Sequence, residues 1–133
     1  MLLVHSVNAA ASAYEVRPLY ERLSAVRPTY AIDLPGFGRS DRSDRAYLPR
    51  LMTDAVSLAV DAIRKAHGGG PIDALGLSLS CEFLARAACE RPSAFRTLAL
   101  VSPTGLGRKR FEGPPGGNRG LTLMRAILRR RWV

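Results

Sequence analysis

The sequence predicts an α/β fold, a mainly parallel sheet with helices on both faces. Four short apolar runs, residues 1–5, 29–33, 72–75 and 95–101, have the length of strands. The segments between them carry apolar residues at helical spacing, so strand and helix alternate as βαβαβαβ over residues 1–102. Turn-forming residues gather after each run, and in such folds those loops share the sheet edge where ligands bind.

The first run, Met1-Leu2-Leu3-Val4-His5, reads as a buried strand, and small residues over 6–13 form the loop after it. Ser12 and Glu15 have capping-box spacing. Pro18 is tolerated only in a first helical turn, which predicts a helix from near Arg17 to Val26. Thr29–Asp33 is the second strand, and Pro35–Tyr47, with Gly36 and Gly38, is a turn-rich loop. Met52, Ala55, Val56, Ala59, Val60 and Ile63 share one face of a helix over about 50–66, stopped by Gly68-Gly69-Gly70. Ile72–Leu75 is the third strand, 79–90 a helix, and Phe95–Val101 the fourth strand. From Thr104 the character changes. Residues 107–120 are rich in Gly, Pro, Arg and Lys, and 121–133 read as a short basic amphipathic helix with Leu121, Met124, Ile127 or Leu128, and Trp132 on its apolar side.

The chain has 133 residues and a formal net charge of +9. Eight of its twenty Lys/Arg, but one of its eleven acidic residues, fall after residue 103, so a near-neutral body precedes a basic segment. The two cysteines, Cys81 and Cys89, lie on one expected helix, about 12 Å apart at its rise per residue, too far for a disulfide. Reduced cysteines and the lack of a visible signal peptide or membrane-length apolar run lead us to expect a cytoplasmic protein. No metal-ligand spacing occurs.

Residues 76–80, Gly-Leu-Ser-Leu-Ser, sit between an apolar strand and a helix. Strand, sharp turn bearing serine, then helix is the layout of a nucleophile elbow, and it proposes Ser78 as nucleophile. The helix start offers backbone N–H groups and a positive dipole end to a developing oxyanion.

Three motifs in order resemble the α/β-hydrolase superfamily, in its serine-nucleophile branch: the apolar strand ending in His5, the segment Asp33-Leu34-Pro35-Gly36-Phe37-Gly38-Arg39-Ser40, and the elbow around Ser78. The resemblance covers about residues 1–105, a partial hydrolase core, with 106–133 as the start of a cap domain or a basic amphipathic tail. It implies a hydrolase fold, here truncated. It also implies acyl-group hydrolysis through Ser78, with the N–H groups of Leu79 and Val7 as oxyanion donors, an ester-like small-molecule substrate, and no cofactor or metal. The sequence departs from the family at Ser6 and Ser80, where glycines are usual. The family's late triad acid and histidine have no counterpart in these residues, so the chain alone is expected to turn over slowly or not at all.

Other residues compete for roles. His5 is a substitute base or a structural residue shaping its loop, and His67 falls at the opposite sheet edge. Asp33 and the Gly36–Gly38 loop are a wall of the site mouth or a structural turn. Glu112 is a remote candidate for the acid. The basic residues Arg108, Lys109, Arg110, Arg119, Arg125, Arg129, Arg130 and Arg131 form a solvated helix face or a surface for nucleic acid or anionic membrane. No specific nucleic-acid partner is expected, whereas association through exposed sheet edges is possible on this reading. The alternatives to a hydrolase are therefore a non-catalytic truncated remnant and a binding module acting through residues 104–133.

Overall fold

The computed structural model describes residues 1–106. The expected cap start or basic tail, including Glu112, lies outside the described residues apart from its first position. Within them the chain runs β1 (Leu2–Val4), a 3-10 turn (Ala13–Val16), α1 (Arg17–Ser24), β2 (Tyr30–Ile32), α2 (Pro49–Ala66), β3 (Ile72–Leu77), α3 (Ser80–Glu90), a second 3-10 turn (Pro92–Ala94) and β4 (Phe95–Val101).

The four strands form one parallel sheet in the order β2-β1-β3-β4. β1 is central, with Leu2 opposite Tyr30 on one side and Ala74 on the other. A strand paired on both edges and covered on both faces must be apolar throughout, and Leu2, Leu3 and Val4 are all fully buried. The connections leave β1 in opposite directions, toward β2 through α1 and, after β2, across to β3 through α2. That reversal makes the C-terminal ends of β1 and β3 the switch point, where such folds open a crevice.

The helices take both faces, as the alternation implies. Met52, Val56, Val60 and Ile63 of α2 and Phe83, Leu84 and Ala87 of α3 pack with Leu2, Val4, Ile72 and Ala74 in the larger core. Leu3, Val16 and Leu75 form the smaller core on the other face, joined by Leu23 of α1. Burying a side chain such as Leu84 contributes about 2 kcal/mol. Its position depends on Gly76 of β3, where a Cβ would lie 2.7 Å from Leu84 Cδ1 and 3.3 Å from the Cys81 amide nitrogen. A Cβ there would force the Leu84 methyl aside and crowd the first turn of α3.

At the opposite edge of the sheet Asp73 is buried at the start of β3. It accepts hydrogen bonds from Arg96 Nε at 2.8 Å and Thr97 Oγ1 at 2.7 Å, and Arg27 closes on the same carboxylate. The guanidinium of Arg96 above all, with Thr97 and Arg27, holds the Asp73 carboxyl well below the usual carboxylate range against the opposing effect of burial. This cluster ties β3, β4 and the α1–β2 connection together where the ladder carries a register shift at Ile72/Asp73.

Local differences from the sequence reading have physical causes. β1 stops at Val4, and the His5 carbonyl accepts from the Ser80 hydroxyl. A 3-10 turn precedes α1: Ser12 Oγ accepts from the Tyr14 N–H at 3.3 Å, but Glu15 does not close the capping box. Its carboxylate goes to Ser6 instead. β3 continues two residues beyond Leu75, since Gly76 and Leu77 still pair with Leu100 and Val101.

Candidate active site

Ser78 lies one residue past β3 and two before α3, at the C-terminal edge of the sheet. Its φ is +53°, one of two positive-φ non-glycine residues among those described. A left-handed conformation at an L-residue costs about 1–2 kcal/mol, so the turn persists because its surroundings hold it. The Ser78 N–H donates to the Val101 carbonyl at 2.9 Å, and its own carbonyl accepts from Cys81 N–H at 3.2 Å and Thr104 N–H at 3.3 Å. Strand β4 and the loop after it thus clamp the turn from one side and α3 from the other. The half-buried Ser78 presents its hydroxyl 3.4 Å from Thr104 Oγ1. Cys81 is no rival nucleophile. Its thiol is buried, donates to the Gly76 carbonyl at 3.2 Å, and is pushed up in pKa by desolvation.

Leu79 is the N-cap of α3, so its N–H stands at the positive end of the helix dipole. Val7 lies in the loop after β1 and packs partly against the larger core. Neither N–H has a hydrogen-bond acceptor among the described residues. Backbone N–H groups without internal partners are what stabilising an oxyanion requires.

The two departures from the resembled motifs are both absorbed by hydrogen bonds. Ser80 is fully buried, and its hydroxyl donates to the His5 carbonyl, tying the first turn of α3 to the end of β1. Ser6 is bonded through every polar group, with its N–H on Glu15 Oε2 at 2.7 Å and its hydroxyl on Glu15 Oε1 at 2.9 Å. Asn8 Nδ2 donates to the same hydroxyl at 2.8 Å.

The histidines fall in different places. His5 is fully buried, with Nε2 accepting from the Leu34 N–H at 3.0 Å and Nδ1 donating to the Ser6 carbonyl at 2.5 Å. Both ring nitrogens are therefore occupied, and the ring stacks edge-on against Phe37 with centroids 5.4 Å apart. Desolvation pushes its pKa below the ordinary value of 6.5. Such a ring is a neutral structural member and has no lone pair to offer as a base. His67 caps the far end of α2 and bonds Tyr30 Oη at 2.6 Å, at the N-terminal edge of the strands.

Asp33 organises its loop. Its carboxylate accepts from Ala13 N–H at 2.6 Å and Arg39 N–H at 2.9 Å, and its carbonyl from the Ser40 hydroxyl at 2.6 Å. Gly38, at φ +50°, passes so close that a Cβ would lie 2.2 Å from this carboxylate. The Gly36–Gly38 segment is thus a structural turn next to the site. Among the described residues no cluster of His, Cys, Asp or Glu could hold a metal, and no helix is long and apolar enough to cross a membrane.

Sequence reasoning did not find Glu15 or Thr104. Glu15 carried the signal of a capping box, which pointed to the wrong partner, and Thr104 carried no signal beyond its place after a strand.

A family model described as alpha/beta hydrolase fold matches residues 1–120. The crystal structure of an E-2-(acetamidomethylene)succinate hydrolase is similar at 28% identity and a TM-score of 0.62, over 74% of this chain and 34% of its own. An N-formylmaleamic acid deformylase from Pseudomonas putida S16 is similar at 24% identity, with a TM-score of 0.65 over 84% of this chain and 42% of its own. A 2-hydroxy-6-oxo-6-phenylhexa-2,4-dienoate hydrolase from Rhodococcus sp. strain RHA1 shares the fold at 21% identity and a TM-score of 0.68, over 82% and 40%. The chain thus spans well under half the length of these proteins. No curated protein matches.

Proposed function

The chain belongs to the α/β-hydrolase fold family, and from that premise we propose that it serves the hydrolysis of a small ester or related acyl compound through Ser78. The observation that carries the proposal is the elbow itself: a serine held at φ +53° between a strand end and a helix start. The similar structure at 28% identity is named for hydrolysis of an acetamidomethylene succinate, which supports including acyl groups beyond simple esters.

In this reading Ser78 Oγ attacks the substrate carbonyl while a base takes its proton. The carbonyl oxygen becomes an oxyanion facing the Leu79 and Val7 N–H groups. Collapse expels the leaving group with that proton and leaves an acyl-serine. Water, deprotonated by the same base, then releases the acid and restores Ser78. The base is neither of the chain's histidines, because His5 has both nitrogens bonded and His67 sits at the other edge. On this reading it is a group other than these two histidines.

The test follows from that last point. The protein is treated with a fluorophosphonate, with and without added imidazole as a diffusible base, and compared with Ser78→Ala. Imidazole-accelerated labelling that maps to Ser78 and vanishes in Ser78→Ala is the expected result. A folded protein that stays unlabelled under both conditions refutes the serine reading and favours a non-catalytic role.

A further inference from the structure

We infer that Glu15, acting through Ser6, is a positioning residue that aims the Val7 N–H at the elbow, with Ser80 as its counterpart on α3. The inference rests on the oxyanion role proposed above.

The argument runs through one peptide plane. The unit joining Ser6 to Val7 is planar and trans, since no described peptide bond is cis. The Ser6 carbonyl and the Val7 N–H therefore point in opposite directions, and whatever fixes the first fixes the second. His5 Nδ1 holds that carbonyl. A single bond would leave the plane free to rock about residue 6. Glu15 holds residue 6 itself, because one carboxylate accepts from both its N–H and its hydroxyl, and the His5 bond then fixes the plane relative to an anchored residue. Hydrogen bonds to an ionised carboxylate are stronger than neutral ones, and two of them restrain residue 6 more than one would.

Glu15 is itself well anchored. Its 3-10 turn ends in Val16, buried in the smaller core, and begins at Ala13, whose N–H is held by Asp33. On the other flank, the buried Ser80 hydroxyl bonds the His5 carbonyl. Ser80 directly follows Leu79, the second oxyanion donor. Both donors are therefore referenced to the same residue pair, His5-Ser6, and their separation is set by side chains at 15 and 80. A glycine at position 6 has no hydroxyl for a carboxylate to grip, so serine there is what gives Glu15 its second bond.

The test measures fluorophosphonate labelling of the full chain in the presence of imidazole, resolved into maximal rate and half-saturating concentration, for the wild type, Glu15→Ala, Glu15→Gln and Ser80→Ala. Exchange of the Val7 amide is followed in parallel by NMR. Glu15→Ala is expected to lower the maximal rate roughly ten- to a hundredfold, less than outright loss of an oxyanion donor. The half-saturating concentration should change little, and the Val7 amide should exchange faster. Glu15→Gln keeps an acceptor for the Ser6 N–H and should recover most of the rate, a rescue that a purely electrostatic role would not give. Ser80→Ala should slow labelling without any change of charge, and it decides the matter if Glu15→Ala does not fold. Variants that label at the wild-type rate, beside a wild type that labels, overturn the positioning role alone. A wild type that does not label overturns the serine reading and the positioning role with it.

Discussion

Replacing Ser78 by glycine should make the protein more stable while abolishing labelling. The left-handed conformation of Ser78 costs about 1–2 kcal/mol for an L-residue and almost nothing for glycine. Glycine has more unfolded-state freedom to lose, which returns a few tenths to about 1 kcal/mol. The backbone bonds to Val101, Cys81 and Thr104 survive the substitution, and only the 3.4 Å hydroxyl contact with Thr104 is lost. The net expectation is a gain of about 1 kcal/mol for Ser78→Gly over Ser78→Ala, which loses the same hydroxyl but keeps the strained φ. With a urea slope of about 2 kcal/mol/M, that is a midpoint higher by about 0.5 M. Equilibrium urea unfolding of the two variants, followed by circular dichroism, measures it directly. A Ser78→Gly midpoint equal to or below that of Ser78→Ala would show that the turn stores no strain, and the elbow argument would lose its energetic basis.

Other outcomes follow from the same structure. Gly76→Val should destabilise by about 1–3 kcal/mol through overpacking against Leu84 and the α3 backbone, read from the denaturation midpoint. Leu84→Ala, which empties a fully buried position, should cost about 2–5 kcal/mol in the same assay. The folded-state pKa of His5 is depressed, so the unfolded chain binds its proton first, and stability should fall as pH drops below about 6.5; a pH series in which this slope persists in His5→Gln would refute the assignment. Asp73 is depressed too, so its contribution is complete above about pH 4, the unfolded carboxylate range, and is lost only as pH falls through its lower folded value. Asp73→Asn should therefore be less stable than wild type at neutral pH and should show a shallower acid transition.

Much of the fold was legible because apolar runs and helical spacing state the sheet and its coverings directly. Met52, Val56, Val60 and Ile63 were placed on one face of α2 by period alone, and they are the residues that meet the sheet. The strand order was not written in any one segment. It follows from the way β1 pairs on both edges, a property of distant residues taken together. At the site, the position of Ser78 was legible from strand, turn and helix in sequence. The part played by Glu15 was not, since a carboxylate three residues after a serine reads as a cap until Ser6 is seen beside it in space. The 3-10 turn at Ala13–Val16 escaped for the same reason, because Asp33, twenty residues on, holds its first N–H. The role of Ser80 was hidden because its partner is a backbone carbonyl 75 residues away.

The central place of β1 has a consequence for how the protein comes into being. Its partners on one side are residues such as Ala74, about 70 positions along the chain, so closing that contact costs loop entropy before it returns anything. Until β3 arrives, Leu2, Leu3 and Val4 have at most one neighbour and remain an adhesive apolar edge. Folding of this sheet should thus be governed by the docking of β3 against β1, and the interval before that event is when the molecule is most exposed to aggregation and to capture by chaperones.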